Sequence, residues 1–180
     1  MKINEIKIDI NGRELILRNA TEQDGEMLIQ YLKETTEETR YLVREAEEII
    51  LTLEQEKAFI ECQNDSEGNI MLLGFLDGQF VGNCALNGNG EFRLRHRVSL
   101  AIALYQKYTS MGIGTAMLET AIDLARQMGY EQLELEVVAD NEKAIGLYKK
   151  MGFEICGTMP KAMKYKDGSY ADEHRMVLFL

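Results

Sequence analysis

The run from Val98 to Gly129, VSLAIALYQKYTSMGIGTAMLETAIDLARQMG, constrains the fold more than any other part of the chain. Val98 to Leu104 is an apolar segment of strand length, and it leads into a turn that holds Gly112 and Gly114. After that turn Ile113, Met117, Leu118, Ala121, Ile122, Ala125 and Met128 recur at three- and four-residue spacing up to a stop at Gly129. The spacing predicts an amphipathic helix whose single apolar stripe packs back on a sheet. Glycine lets another molecule approach the backbone closely, and the first turn of a helix offers unpaired N–H groups at the positive end of its dipole. A phosphate-bearing ligand at this turn is the expectation, set against the plainer use of glycine to change direction between elements.

Flanking segments supply the rest of the sheet. Leu15 to Arg18 reads as a strand, and Thr21 with Asp24 three residues on predicts a helix start for a segment to about Lys33. Thr52 with Gln55 predicts a second helix, running to about Cys62. Ile70 to Leu76 and Phe80 to Leu86, joined by Asp77-Gly78, predict a hairpin. A polar loop, Asn87 to Gly90, then leads through Glu91–His96 to the strand ending at Leu104. Leu133, Leu135 and Val137 alternate with Gln132, Glu134 and Glu136, predicting a strand with one apolar and one acidic face. A short helix follows from Glu142 to Met151, between Asn141 as N-cap and Gly152 as stop. Phe153–Met159 and His174–Leu180 close as strands around a polar loop that holds Pro160. Strands, helix, strand, helix, strands make a mixed α/β sheet, and with no linker or repeat, residues 1–180 read as one domain.

Composition narrows the function classes. A net charge of −10 argues against a nucleic-acid surface, which needs clustered Lys and Arg, and is compatible with a cationic substrate. The acidic stretch Glu34 to Glu56 fits that reading, or simply a solvated helix face. Cys62, Cys84 and Cys156 form no C-x-x-C pair, and His96 and His174 are the only histidines, so neither a disulfide framework nor a metal site is expected. No run approaches the roughly 20 apolar residues of a membrane span, and the first residues alternate charge with apolar groups instead of forming a signal-peptide core, so a cytoplasmic protein is expected.

Two phosphate loops are tested by the turn itself. A Walker A loop ends in Gly-Lys-Ser/Thr, and Gly112-Ile113-Gly114-Thr115 has no lysine. A dinucleotide fingerprint needs a third glycine where Met117 stands, although Glu134 or Glu136 lies where a ribose-binding acid would, so that alternative stays open. Further on, Asn141, Ala144, Leu147, Tyr148, Gly152 and Phe153 stand in the spacing N-x-x-A-x-x-L-Y-x-x-x-G-F. Together with SMGIGTAML one strand and one helix earlier, this resembles the GCN5-related N-acetyltransferase family, over most of the chain from Leu17 onward. The resemblance implies acetyl-CoA as cosubstrate. It also implies a mixed, mostly antiparallel sheet of six to seven strands with about four helices, and a V-shaped gap between the two central strands, here Val98–Leu104 and Leu133–Val138.

By the same resemblance Ile102 and Leu104 supply backbone pairing to the pantetheine arm. Thr109, Ser110, Met111, Gly112, Ile113, Gly114 and Thr115 form the pyrophosphate turn, and Asn141 hydrogen-bonds the arm. Thr109 stands where the family usually carries Arg or Gln, and Ser110 replaces a common glycine. Acetyl transfer to an amine needs a base for the ammonium proton, a donor for the oxyanion and an acid for the departing thiolate. Tyr148 occupies the spacing of the family's acid and also stands to contact the cofactor, while Glu136 matches the base position of the ribosomal-protein alanine branch. His96, Glu91 or a water relay are the other candidates for the base. The implied activity is direct transfer to a primary amine, either a small molecule or a peptide N-terminus. The alternative is a CoA-binding regulatory protein of the same fold. A homodimer is common among similar proteins, and no membrane or nucleic-acid partner is implied.

Overall fold

The structure, a computed structural model, describes residues 1–180. Two N-terminal strands, β1 (Ile6–Ile10) and β2 (Arg13–Asn19), pair around Asn11-Gly12, whose positive φ values of 54 and 83 give the turn that joins twisted strands. Then come α1 (Gly25–Glu38), α2 (Leu53–Asp65), β3 (Asn69–Leu76), β4 (Gln79–Gly88), β5 (Arg97–Leu104), α3 (Ile113–Gln127), β6 (Gln132–Val138), α4 (Glu142–Lys150), β7 (Glu154–Lys164) and β8 (Tyr170–Phe179). The eight strands form one sheet in the order β1-β2-β3-β4-β5-β6-β8-β7. That is one strand more than the upper expectation, because the Asn11-Gly12 hairpin adds β1.

All neighbours are antiparallel except β5 and β6, which pair in parallel over Arg97↔Gln132, Val98↔Leu133 and Ser99↔Glu134 only. Beyond Ser99 and Glu134 the two strands part, leaving Leu100–Leu104 and Leu135–Val138 unjoined by a ladder. Residues in β3 and β4 pair as Gly74↔Gly82 and then Phe75↔Phe80, so Val81 is an extra residue in β4. Such a bulge bends its strand, and here the carbonyl of Val81 receives the Tyr105 N–H at 3.0 Å as the chain leaves β5.

Both sheet faces are covered. The larger core lies under α3 and α4, where Ile113, Met117, Leu118 and Ala121 meet Leu72, Leu86, Val98 and Leu133. The opposite face carries α1 and α2, whose Leu28, Tyr31 and Ile60 pack on Met71 and Leu73. Consecutive β3 residues thus enter different cores, as expected of a central strand covered on both sides. The helix that Thr21 and Asp24 announce opens with a single 3-10 turn and runs five residues beyond Lys33, to Glu38.

Late in the chain the expectation of a loop around Pro160 is corrected. β7 continues to Lys164 and β8 begins at Tyr170, so the segment is the arm of a long hairpin. Pro160 sits where the register slips between Met159 and Met163, a bulge being where proline's missing N–H does least harm to the ladder. Lys161, at φ 53, is tied there by its N–H to Asp172 Oδ1 at 2.8 Å.

Candidate active site

The opening between β5 and β6 is a cleft of about 1150 Å³. At one end lies the glycine turn. Ser110 and Gly112 both adopt left-handed backbone, with φ 62 and 88. A left-handed serine is mildly strained, which is why glycine is the usual residue at its position in the family it resembles. Ala116 is the first residue of α3 to close on Gly112 O, at 3.1 Å, so the N–H groups of Ile113, Gly114 and Thr115 lack an intrahelical partner. They are the donors an anion would meet.

Of the residues expected in this turn, Thr109, Ser110, Gly112, Gly114 and Thr115 line the cleft. Met111 and Ile113 do not; Ile113 is fully buried in the core, and Met111, partly buried, packs against that core. Thr109 departs from expectation in another way. Its N–H and its hydroxyl both donate to Gln106 O, at 3.1 and 2.7 Å, so its amide closes the turn instead of pointing at a ligand.

Along the walls, Ile102 and Leu104 present the free edge of β5. Asn141 lines the cleft while its Oδ1 caps α4, accepting from Ala144 N at 3.2 Å. That leaves the amide Nδ2 as the group able to reach a ligand. Tyr148, on α4, is 8% exposed, with its ring 5.9 Å from that of Phe153. No hydrogen bond within the fold engages its hydroxyl, and burial pushes its pKa up to about 12, so it stays protonated across the physiological range.

Glu136 enters from the other face. In β6, Leu133, Leu135 and Val137 are buried under α3 and α4, whereas Glu136 is exposed toward the cleft on the α1–α2 side. Tyr148 and Glu136 therefore approach the opening from opposite sides of the sheet. Glu173, on β8, shares the face of Glu136; burial first, and then the charge of Glu136, push its carboxyl up. Neither carboxylate makes an ion pair. His96 and Glu91 lie near the distal start of β5 and do not line the cleft.

The acidic face predicted for β6 is only half correct. Glu134 is 5% exposed and held by two guanidiniums, Arg97 Nη2 at 2.8 and 2.7 Å and Arg175 Nη2 at 2.7 Å. Burial opposes its ionisation, but these two partners outweigh it and hold the carboxyl below the usual range. Nothing in the sequence joins these residues, because they lie 37 and 41 positions apart.

Also beyond sequence reasoning is the segment from Thr39 to Glu48, which crosses the α1–α2 side of the cleft and brings Tyr41, Leu42 and Val43 to its wall. It is fastened by Arg40 Nη2 to Asp140 Oδ2 at 2.7 Å, by Arg40 stacked on Tyr165 at 4.6 Å, and by Lys166 Nζ to Glu47 Oε2 at 2.8 Å. Part of the Glu34–Glu56 acidity is engaged within the fold, Glu45 and Glu47 by the single Lys166, and Glu38 Oε2 accepts from Gln106 N at 2.7 Å. That weakens the inference of a cationic substrate from this stretch.

Comparison with known proteins points the same way. The model of the Acetyltransferase (GNAT) family matches residues 29–153. An L-amino acid N-acetyltransferase from Escherichia coli is 30% identical over 113 residues, 62% of this chain and 69% of that one. An acetyltransferase of the same family from Streptococcus pneumoniae superposes with a TM-score of 0.88 at 31% identity, covering 93% of this chain and 100% of the other. A ribosomal-protein-alanine N-acetyltransferase from Brucella melitensis gives 0.80 at 27% identity, over 91% and 99% of the two chains. With a glycine turn opening a helix, two central strands that part, and a family match over most of its length, this chain belongs to the Acetyltransferase (GNAT) family and is an acetyl-CoA-dependent acyltransferase.

Proposed function

We propose that residues 1–180 form one catalytic domain that moves the acetyl group of acetyl-CoA directly to a primary amine, both substrates being bound together. The observation that carries this reading is the cleft reached from one sheet face by Tyr148 and from the other by Glu136. In it the amides of Gly112 to Thr115 hold the pyrophosphate, the free edge of β5 at Ile102 and Leu104 pairs with the peptide-like arm, and Asn141 Nδ2 donates to it. Glu136 takes the proton of the acceptor ammonium, and the amine attacks the thioester carbonyl. A main-chain N–H near Leu104 stabilises the oxyanion; as the carbonyl re-forms and the C–S bond breaks, Tyr148 gives its proton to the departing thiolate and the second proton of the amine nitrogen replaces it. A hydroxyl with its pKa at about 12 is a stable proton donor at neutral pH.

The acceptor enters on the α1–α2 side, past Tyr41 and Leu42. Relatives act on L-amino acids and on a ribosomal-protein alanine. Here the charges on that side favour the second kind of acceptor. Glu136 and Glu173 are unpaired, Arg175 is held by Glu134, and only Lys143 on the rim is a free cation. An amine followed by a neutral amide, as at a peptide N-terminus, suits such a wall better than an amine beside a carboxylate. The three free cysteines fit a reducing cytoplasm.

The test is acetyl-CoA binding by titration calorimetry, followed by thiol release against free amino acids, polyamines and short peptides. Release dependent on peptide amines is the expected result. Binding without release from any amine would remove the catalytic reading, and release with free amino acids alone would remove the peptide preference.

A further inference from the structure

Glu136 has an uncomfortable neighbour. Its direct cross-strand partner is Arg175, and side chains opposed in this way stand about 5 Å apart at Cβ. A guanidinium at that range should seize a free carboxylate, since the pair gains both charge and a bidentate match. It does not: Arg175 makes no ion pair with Glu136, and its Nη2 is bonded to Glu134 Oε2 at 2.7 Å.

Glu134 is placed to compete. It lies two residues before Glu136 on the same face of β6, and its partner Ser99 is the last β5 residue paired before the strands part. Its carboxylate is buried and fixed from the other side by Arg97 Nη2, which spans both oxygens. An already desolvated, anchored acceptor is a better site for Arg175 than the exposed, unpaired carboxylate of Glu136, because less freedom is lost on pairing.

We propose that Glu134 is a positioning residue for acetyl transfer, holding Arg175 away from Glu136 so that the Glu136 carboxylate is left free to accept the acceptor's proton. This rests on Glu136 being the base. The other charged groups lining the cleft do not substitute for it. Asp140 is paired with Arg40, Glu142 and Lys143 belong to the start of α4, and Glu173 repels Glu136 instead of binding it.

Two substitutions give opposite signs in the pH profile of kcat/KM for the amine. In Glu134→Gln the freed guanidinium turns to Glu136 and a neighbouring negative charge is lost. Both effects keep Glu136 ionised to lower pH, so the acid limb moves down while the rate falls at least about tenfold through the blocked base. In Arg175→Gln, a change at a side chain about half exposed, the cation is absent and the acid limb moves up. The double variant Glu134→Gln, Arg175→Gln lacks the cation opposite Glu136, the freed Arg97 standing opposite Gln132 four residues back along β6, and recovers most of the rate lost in the first. A merely structural ion pair would lower Tm in each variant and give no recovery of rate in the double one. An unmoved acid limb in Glu134→Gln, or no recovery in the double variant, would overturn the proposal. Glu136→Gln separates the premise from it: a wild-type profile there refutes Glu136 as the base, whereas loss of activity there with an unmoved limb in Glu134→Gln refutes the role of Glu134 alone.

Discussion

Tyr148 and Asn141 sit one helical stretch apart on α4, and each has one half in the fold and the other in the cleft. The Tyr148 ring is held by Phe153 while its hydroxyl has no partner, so Tyr148→Phe removes the proton donor and leaves the packing. CoA affinity and Tm should stay near wild type, with kcat lower by roughly a hundredfold, the lower end for a lost acid; an unchanged kcat measured by thiol release would remove Tyr148 as the acid. For Asn141 the two functions separate by chemistry. Asn141→Asp keeps an oxygen to cap Ala144 N but loses the Nδ2 donor, so CoA binding weakens at little change in Tm. Asn141→Ala loses both, and the missing cap costs about 1 kcal/mol in addition. Equal CoA affinity in wild type and Asn141→Asp, read by calorimetry, would place the ligand's partner elsewhere. These two residues were legible in the sequence because cap and acid fall within one short motif. Glu134, Arg97 and Arg175 were not, since the triad exists only once three strands are side by side.

At the scale of elements, local signals located most of the sheet. The Asp77-Gly78 turn, the Thr52–Gln55 capping box and the stripe of α3 stand where the residues put them. What local pattern missed was long-range. β1 is a different case: Ile6, Ile8 and Ile10 alternate strictly with Lys7 and Asp9 ahead of an Asn-Gly turn, a hairpin signal that the expected six to seven strands left uncounted. β7 is exposed along most of its length, so burial wrote no alternation into it past Met159, and Pro160 looked like an end. The start of α3 also carries a prediction. Gly112 has φ 88, and a Cβ built there would meet nothing closer than Ile10 Cγ2 at 3.9 Å. Space is available, so the penalty of Gly112→Val is backbone strain of roughly 1–2 kcal/mol or more for a β-branched residue, relieved by reshaping the turn. The sheet and its cores should survive, by circular dichroism, while the converging amides are lost and acetyl-CoA no longer binds. A folded Gly112→Val protein with wild-type affinity would remove this turn as the pyrophosphate site.

For the molecule as a whole, the carboxyl groups divide into two sets that act on stability in opposite directions. Asp24 and Glu134 are held below their usual range: burial works against each, but Arg18 and Thr21 around the first, and Arg97 and Arg175 around the second, prevail. Their contribution is complete above the unfolded carboxyl pKa of about 4 and is lost as pH falls through the lower folded values. Glu56 is the reverse case. It is 4% exposed, burial raises its pKa with only partial relief from the charge of Arg44, and no hydrogen bond supports its carboxylate. Such a group destabilises the fold while ionised, and the penalty disappears as pH falls through its raised folded value. Thermal melting should therefore show Tm level or rising slightly from pH 7 towards pH 5, then dropping steeply below about pH 4. Asp24→Asn lowers Tm at pH 7, and its deficit shrinks once pH falls below the unfolded carboxyl value of about 4, closing only as pH passes the lowered folded value of Asp24 and the Arg18 pairing is lost in wild type as well. Glu56→Gln does the opposite, raising Tm at pH 7 by about 2–4 °C for each kcal/mol released and converging on wild type near pH 4, where the wild-type side chain is itself neutral. A Glu56→Gln protein no more stable than wild type at pH 7 would show that its ionised carboxylate is accommodated after all.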